Sequence, residues 1–203
     1  MSLHNPLATG PTVLAAAVGA AEGARPAAAA LACAGAEADL AALLVEVGGG
    51  MPRPTLIASA AAQELEERVA AHLPQGKVAA RGQVCHLAVS ADADGLAAAS
   101  AAVTVARGAT AVVHLPPELL QSVVAGESSL QPSAVLLRAD LRRDRALVAL
   151  TVRDLIERGL PGAVLKDRLG WVAERRALFG ILPPGSPGAL PERLVRRLCG
   201  TRG

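Results

Sequence analysis

Aromatic side chains are almost missing from this 203-residue chain: Trp171 and Phe179 are the whole complement, and there is no tyrosine. Aromatic stacking on bases or sugars is therefore nearly unavailable, which argues against a single-stranded nucleic-acid platform, and nucleic acid is not the expected partner. The core has to be built from Ala, Val and Leu. Lysine is nearly as scarce, with only Lys77 and Lys166 among twenty basic residues, which reads chiefly as a coding bias toward arginine. Cys33, Cys85 and Cys199 are odd in number, far apart and without a C-x-x-C pair, so neither a disulfide framework nor a zinc site is indicated. No metal and no cofactor is expected. The apolar run from Val13 to Ala21 is cut off by Glu22 and Arg25 and is too short to span a bilayer, and Met1 to Thr12 lacks the basic start of a secretory signal. These features point to a cytoplasmic protein. No G-x-S-x-G elbow, H-E-x-x-H pair or G-x-G-x-x-G fingerprint is present, so no catalytic residue is assigned.

What is present is ample apolar material. Hydrophobic residues make up 52% and charged residues 19%, which excludes a disordered chain. A domain of this length buries roughly 70% of its unfolded surface. Charge is unevenly divided: residues 1–130 carry six Lys/Arg against eleven Asp/Glu, and residues 131–203 carry fourteen against seven.

Short Val/Leu-rich runs alternate with longer Ala-rich stretches of helical spacing, the sequence form of stacked βαβ units. Strands are expected near 12–18, 42–47, 55–58, 83–89, 110–114, 133–138 and 162–166. Helices are expected near 26–37, 60–73, 92–107, 117–125, 143–158 and 170–179. Runs such as Ala42-Leu-Leu-Val45 are apolar throughout, as strands covered on both faces must be. The fold class is three-layer α/β, with a mostly parallel sheet of about seven strands flanked by helices. Ser59 and Asp92 or Asp94 are suited to cap helices, and Gly108 to end one. Pro183 to Gly188 holds three prolines and two glycines and reads as a linker between a domain of residues 1–182 and a short basic tail, 189–203. Cys85 and His86 are adjacent on a strand and point to opposite faces, so they do not form a nucleophile–base pair. His72 is expected to be solvated.

The connection after the first strand, Val18-Gly-Ala-Ala-Glu-Gly-Ala-Arg-Pro26, resembles in length and position the phosphate loop of the MinD/ParA group of deviant-Walker ATPases. Three segments follow in the same order as in that family. Leu43-Leu-Val-Glu-Val-Gly-Gly49 is similar to its second strand, with Glu46 where aspartate is usual. Ala111-Val-Val-His-Leu-Pro-Pro117 is similar to its I-I-D-T-P-P strand, with His114 for the aspartate. Leu160 to Arg168 is similar to the segment that contributes a base-recognising asparagine, here Lys166. The resemblance spans about residues 12–168 and implies a P-loop NTPase-like fold. Aligned on it, Gly23 falls on the last loop glycine, the family's two lysines fall on Gly19 and Ala24, its magnesium-binding hydroxyl on Arg25, and the next hydroxyl on Pro26.

These replacements remove what a phosphate loop uses. Pro26 supplies no N–H, Ala24 no ammonium, and Glu22 sets a negative charge against the phosphates, while His114 is a poor ligand for magnesium. The resemblance therefore implies a non-catalytic scaffold or regulator, a pseudo-ATPase working through a protein partner. Two other readings stay open: a divergent ATP-binding switch with Arg25 on phosphate and Glu46 on the metal, and non-specific DNA binding through the basic C-terminal half. At the residue level, Gly19 and Gly23 can simply let the chain turn, with Pro26 at the favoured first position of a helix. Glu46, His114 and Lys166 are candidates for a crevice at the carboxyl ends of the strands, with a satisfied polar pair or a solvated strand end as the alternative for Glu46 and His114. In the tail, Leu190, Leu194, Val195 and Leu198 fall on one helical face beside Arg193, Arg196 and Arg197. That helix is similar in kind to the membrane-targeting helix of the MinD branch, which implies a weak contact with an anionic inner-membrane surface, or else it docks on its own domain. The family forms nucleotide-sandwich dimers, so a homodimer is a further expectation, although the crossing lysine is among the replaced residues.

Overall fold

The computed structural model of the chain describes residues 10–19, 24–39, 41–50, 56–166 and 179–182. In chain order the elements are β1 (Thr12–Val18), α1 (Ala24–Asp39), β2 (Ala42–Val47), α2 (Ala60–His72), β3 (Lys77–Arg81), β4 (Val84–Val89), α3 (Ala93–Val105), β5 (Thr110–Leu115), α4 (Pro117–Ala125), β6 (Ala134–Ala139), α5 (Arg145–Glu157), β7 (Gly162–Lys166) and β8 (Phe179–Leu182). They form one sheet in the order β3-β4-β2-β5-β1-β6-β7-β8, parallel everywhere except the β3–β4 pair. The three-layer, mostly parallel α/β architecture expected from the sequence is the one observed.

Handedness decides which helix covers which face. The β1-to-β2 connection runs toward one edge of the sheet, whereas β4-to-β5, β5-to-β6 and β6-to-β7 run toward the other. Right-handed crossovers then place α1 on one face and α3, α4 and α5 on the opposite face. The two cores bear this out. Val13, Ala15, Leu44, Val112 and Leu136 pack with Ala28, Leu31, Ala32 and Ala36 of α1. Leu14, Leu43, Val45, Leu87, Val113 and Leu137 pack with Leu65, Leu96, Ala99, Leu120 and Leu155 from the other four helices. Successive residues of each strand alternate between these clusters, so β1 and β2 are buried throughout.

The helix ends follow their side chains. The Ser59 hydroxyl accepts from the Ala62 amide at 3.2 Å, and Asp92 Oδ1 accepts from Gly95 N at 2.8 Å, satisfying first-turn donors. Gly108 lies in the turn after α3 at φ 87°. At the far end of α1, Asp39 Oδ2 accepts from both the amide (3.1 Å) and the hydroxyl of fully buried Thr110. This ties the helix to the first residue of β5.

Three expectations are corrected. Residues 56–58 are not a strand. Leu56 and Ile57 are exposed, and the Ser59 amide donates to Gly82 O at 2.7 Å, so this stretch is the lead-in to the α2 cap. The strand sits later, at β3, where Lys77 and Arg81 at its ends conceal the pattern because it is an edge strand. Residues 179–182 are a strand, although Phe179 was expected to end a helix; the rest of that expected helix lies outside the described residues. Pro26 is the third residue of α1, not the first, still within the turn whose amides lack intrahelical partners. The linker and tail, 183–203, also lie outside the described residues.

Candidate functional site

The carboxyl ends of the central strands, on the face covered by α1, gather the polar groups. Glu46 on β2 stands beside His114 on β5, and paired residues of parallel strands project to the same face. On the other side of β2, His86 of β4 is level with Leu44, which shares the face of Glu46. Parity thus brings two imidazoles to either flank of one carboxylate. Arg25, in the first turn of α1, closes the group from above.

Arg25 grips Glu46 through both of its oxygens. Nε donates to Oε1 at 2.9 Å and Nη2 to Oε2 at 2.5 Å, while Nη2 also donates to Gly50 O at 2.6 Å. The Glu46 side chain is 7% exposed and that of Arg25 is 48% exposed. A desolvated carboxylate is costly alone, and the guanidinium fork is the geometry that best compensates it. The hydrogen bond to Glu46 raises the Arg25 pKa further above its already high value, against the opposing effect of burial. A Cβ at Gly49 would lie 2.6 Å from Glu46 Oε2, so the β2–α2 connection closes over the carboxylate only with glycine there. One ion pair therefore joins the start of α1, the end of β2 and the loop after it.

The histidines are held neutral. Burial pushes the pKa of His86 down, opposed by Glu46 and assisted by Arg81 and Arg25. Burial likewise lowers that of His114, opposed by Glu46 and assisted by Arg25. Nδ1 of each ring is buried without a hydrogen-bond partner, so protonation on Nε2 leaves Nδ1 a bare acceptor, not a bare donor. Among the described residues no group of three or more His, Cys, Asp or Glu is arranged to hold a metal ion.

A second carboxylate lies at the mouth of the turn after β1. Gly19 has φ 64°, and a Cβ built on it would meet Asp144 Cγ at 2.4 Å and both carboxylate oxygens within 2.6 Å. Asp144 precedes α5 without making a capping bond, and its Oδ2 is buried without a partner. It is carried there by Asp140, whose main-chain oxygen accepts from Asp144 N at 2.8 Å and whose Oδ1 accepts from Arg142 N at 3.0 Å. The Asp140–Arg145 run thus forms a turn before the helix, with its second aspartate aimed at Gly19.

Of the residues singled out in the sequence, Gly19, Ala24, Arg25 and Pro26 flank the turn, whereas Glu22 and Gly23 lie outside the described residues. Glu46 and His114 are brought together. Lys166 ends β7, separated from β5 by β1 and β6. Leu190, Arg193, Leu194, Arg196, Arg197 and Leu198 lie outside the described residues. Sequence reasoning missed His86 and Asp144 as members of the site. His86 was detectable from strand parity with Val84 once β4 is placed beside β2, but Asp144 depends on tertiary approach alone. Cys85 faces the opposite core, fully buried, with its thiol pushed up to about 12 chiefly by burial, so it stays apart from His86 as expected. His72 is exposed, its Nδ1 2.9 Å from Arg68 O.

No family model and no curated protein sequence matches the chain. Among solved structures, the 54 kDa signal recognition particle protein of Aeropyrum pernix K1, determined in complex with GDP, is similar at 17% identity and a TM-score of 0.43. The similarity covers 97% of this chain and 47% of that one, so the chain spans about half the length of this neighbour.

Proposed function

We propose that this chain is a MinD/ParA-like, P-loop NTPase-like domain that acts as a non-hydrolysing scaffold or regulator through protein contacts, its nucleotide end closed by its own side chains. The observation that carries this reading is the two-pronged Arg25–Glu46 pair. A nucleotide switch would need Arg25 for phosphate and Glu46 for magnesium. Here each neutralises the other, and separating them would strand a carboxylate that is almost fully buried. Asp144 against Gly19 adds a second negative group where an anion would have to approach. Both effects oppose triphosphate binding, and the ion pair needs no ligand to be satisfied.

Calorimetric titration with ATP or GTP in the presence of magnesium tests the proposal. The expected result is no saturable heat at micromolar nucleotide, with the wild type and Arg25→Ala alike. Saturable binding or hydrolysis that Arg25→Ala abolishes would establish the switch reading in its place.

A further inference from the structure

Strand β3 is one edge of the sheet and pairs antiparallel with β4 through the two-residue connection Gly82-Gln83. The residues flanking such a connection, Arg81 and Val84, exchange both of their backbone bonds, and the pattern then alternates. Lys77, Ala79 and Arg81 therefore spend their N–H and C=O groups on β4, whereas Val78 and Ala80 direct theirs outward. The outward amide of Ala80 does not face open solvent: it donates to Oε2 of Glu66 at 2.9 Å. Glu66 lies on α2, which packs against β3 and β4, and its carboxylate reaches the outward side of the edge strand. A helix carboxylate thus occupies a hydrogen-bond position that an added strand would take.

We propose that Glu66 is an edge guard, and that the pairing it excludes is antiparallel addition of β3 from a second copy of this chain. Two copies related by a two-fold axis through Ala79 would set Val78 of one opposite Ala80 of the other, each pair exchanging both N–H···O bonds. Small Ala79 at the centre presents no steric obstacle. The remaining register places Lys77 of one copy opposite Arg81 of the other, a like-charge contact that weakens the same pairing. The edge is therefore protected by two means: a side chain that occupies the Ala80 donor, and cations at both ends of a strand of five residues.

Sedimentation velocity over a concentration series, with circular dichroism to verify folding, tests this. Glu66→Ala is expected to tighten self-association by roughly tenfold or more relative to the wild type, since it frees one backbone donor on each copy. Glu66→Gln retains an acceptor oxygen and is expected to match the wild type. The double variant E66A/A80P has no N–H at position 80 and is expected to return to wild-type association, because proline there removes no bond to β4. Folded Glu66→Ala that associates no more than the wild type overturns the proposal, as does E66A/A80P that associates as strongly as E66A. The wild type alone supplies a further reading through amide exchange in dilute solution. Ala80 is expected to be protected and Val78 to exchange fast; an unprotected Ala80 amide would show that Glu66 does not hold it.

Discussion

At the scale of single residues, the Arg25–Glu46 pair is asymmetric, and the asymmetry is measurable. Arg25→Ala leaves a buried carboxylate with both oxygens unpaired, whereas Glu46→Gln releases a half-exposed guanidinium that can turn to water. Chemical denaturation is therefore expected to find Arg25→Ala destabilised by about 2–3 kcal/mol and Glu46→Gln by ~1 kcal/mol. Gly19 is constrained twice, by φ 64° and by the Asp144 carboxylate. Gly19→Ala should cost about 2 kcal/mol or more, and combining it with Asp144→Ala should recover only the steric part, because the left-handed backbone strain remains. A double-mutant cycle separates the two contributions. Of the three cysteines, Cys33 is exposed on α1 while Cys85 is fully buried. Burial and then Glu37 raise the Cys33 pKa, so alkylation at pH 8 is expected to modify Cys33 more slowly than a free thiol, and to leave Cys85 unmodified until the protein unfolds.

At the scale of elements, α1 is the informative one, since among the described residues it alone covers its face of the sheet. It does so largely with alanines, which let the helix lie close to β1, β2 and β5, and with one large anchor, fully buried Leu31. Leu31→Ala is expected to cost ~3 kcal/mol, and Ala32→Leu a comparable amount by overpacking, both read from denaturant midpoints. The cap of α2 is a smaller matter: Ser59→Ala should cost about 1 kcal/mol. Much of this was legible in advance. The continuous apolar runs of β1, β2, β5 and β6, the Ser59 and Asp92 caps and the spacing of Leu65 and Val69 all give local signals, because a strand covered on both faces and a helix start each need particular residues in sequence. Edge strand β3 was not legible, since a strand with cations at both ends and alanines within it resembles a loop until its partner is known.

At the scale of the whole molecule, stability is limited by groups of opposite kind at opposite ends of the pH range. His86 and His114 have folded-state pKa values below their ordinary value of 6.5. The unfolded chain therefore binds more protons as pH falls through this region, so their contribution is fully present above about 6.5 and is lost on acidification. Cys85 is displaced the other way, from 9.0 to about 12, so its contribution is present below about 9 and declines from there toward 12, where only the unfolded thiol ionises. Thermal melts across pH are expected to show a plateau bounded by these two limbs. His86→Gln with His114→Gln should flatten the acid limb, and Cys85→Ala the alkaline one. Among the described residues no helix is long and apolar enough to cross a membrane.

The amino-acid sequence by itself determined the alternation of strands and helices and the burial of the strands on both faces, because each of these is written in neighbouring residues or a short period. Only the tertiary structure decided that Arg25 holds Glu46, that His86 joins His114 beside it, that Asp144 meets Gly19 and that Glu66 covers Ala80. Those contacts join groups far apart along the chain, and their geometry is set by strand order, register and crossover hand. Each of these is a property of packing that no local pattern encodes.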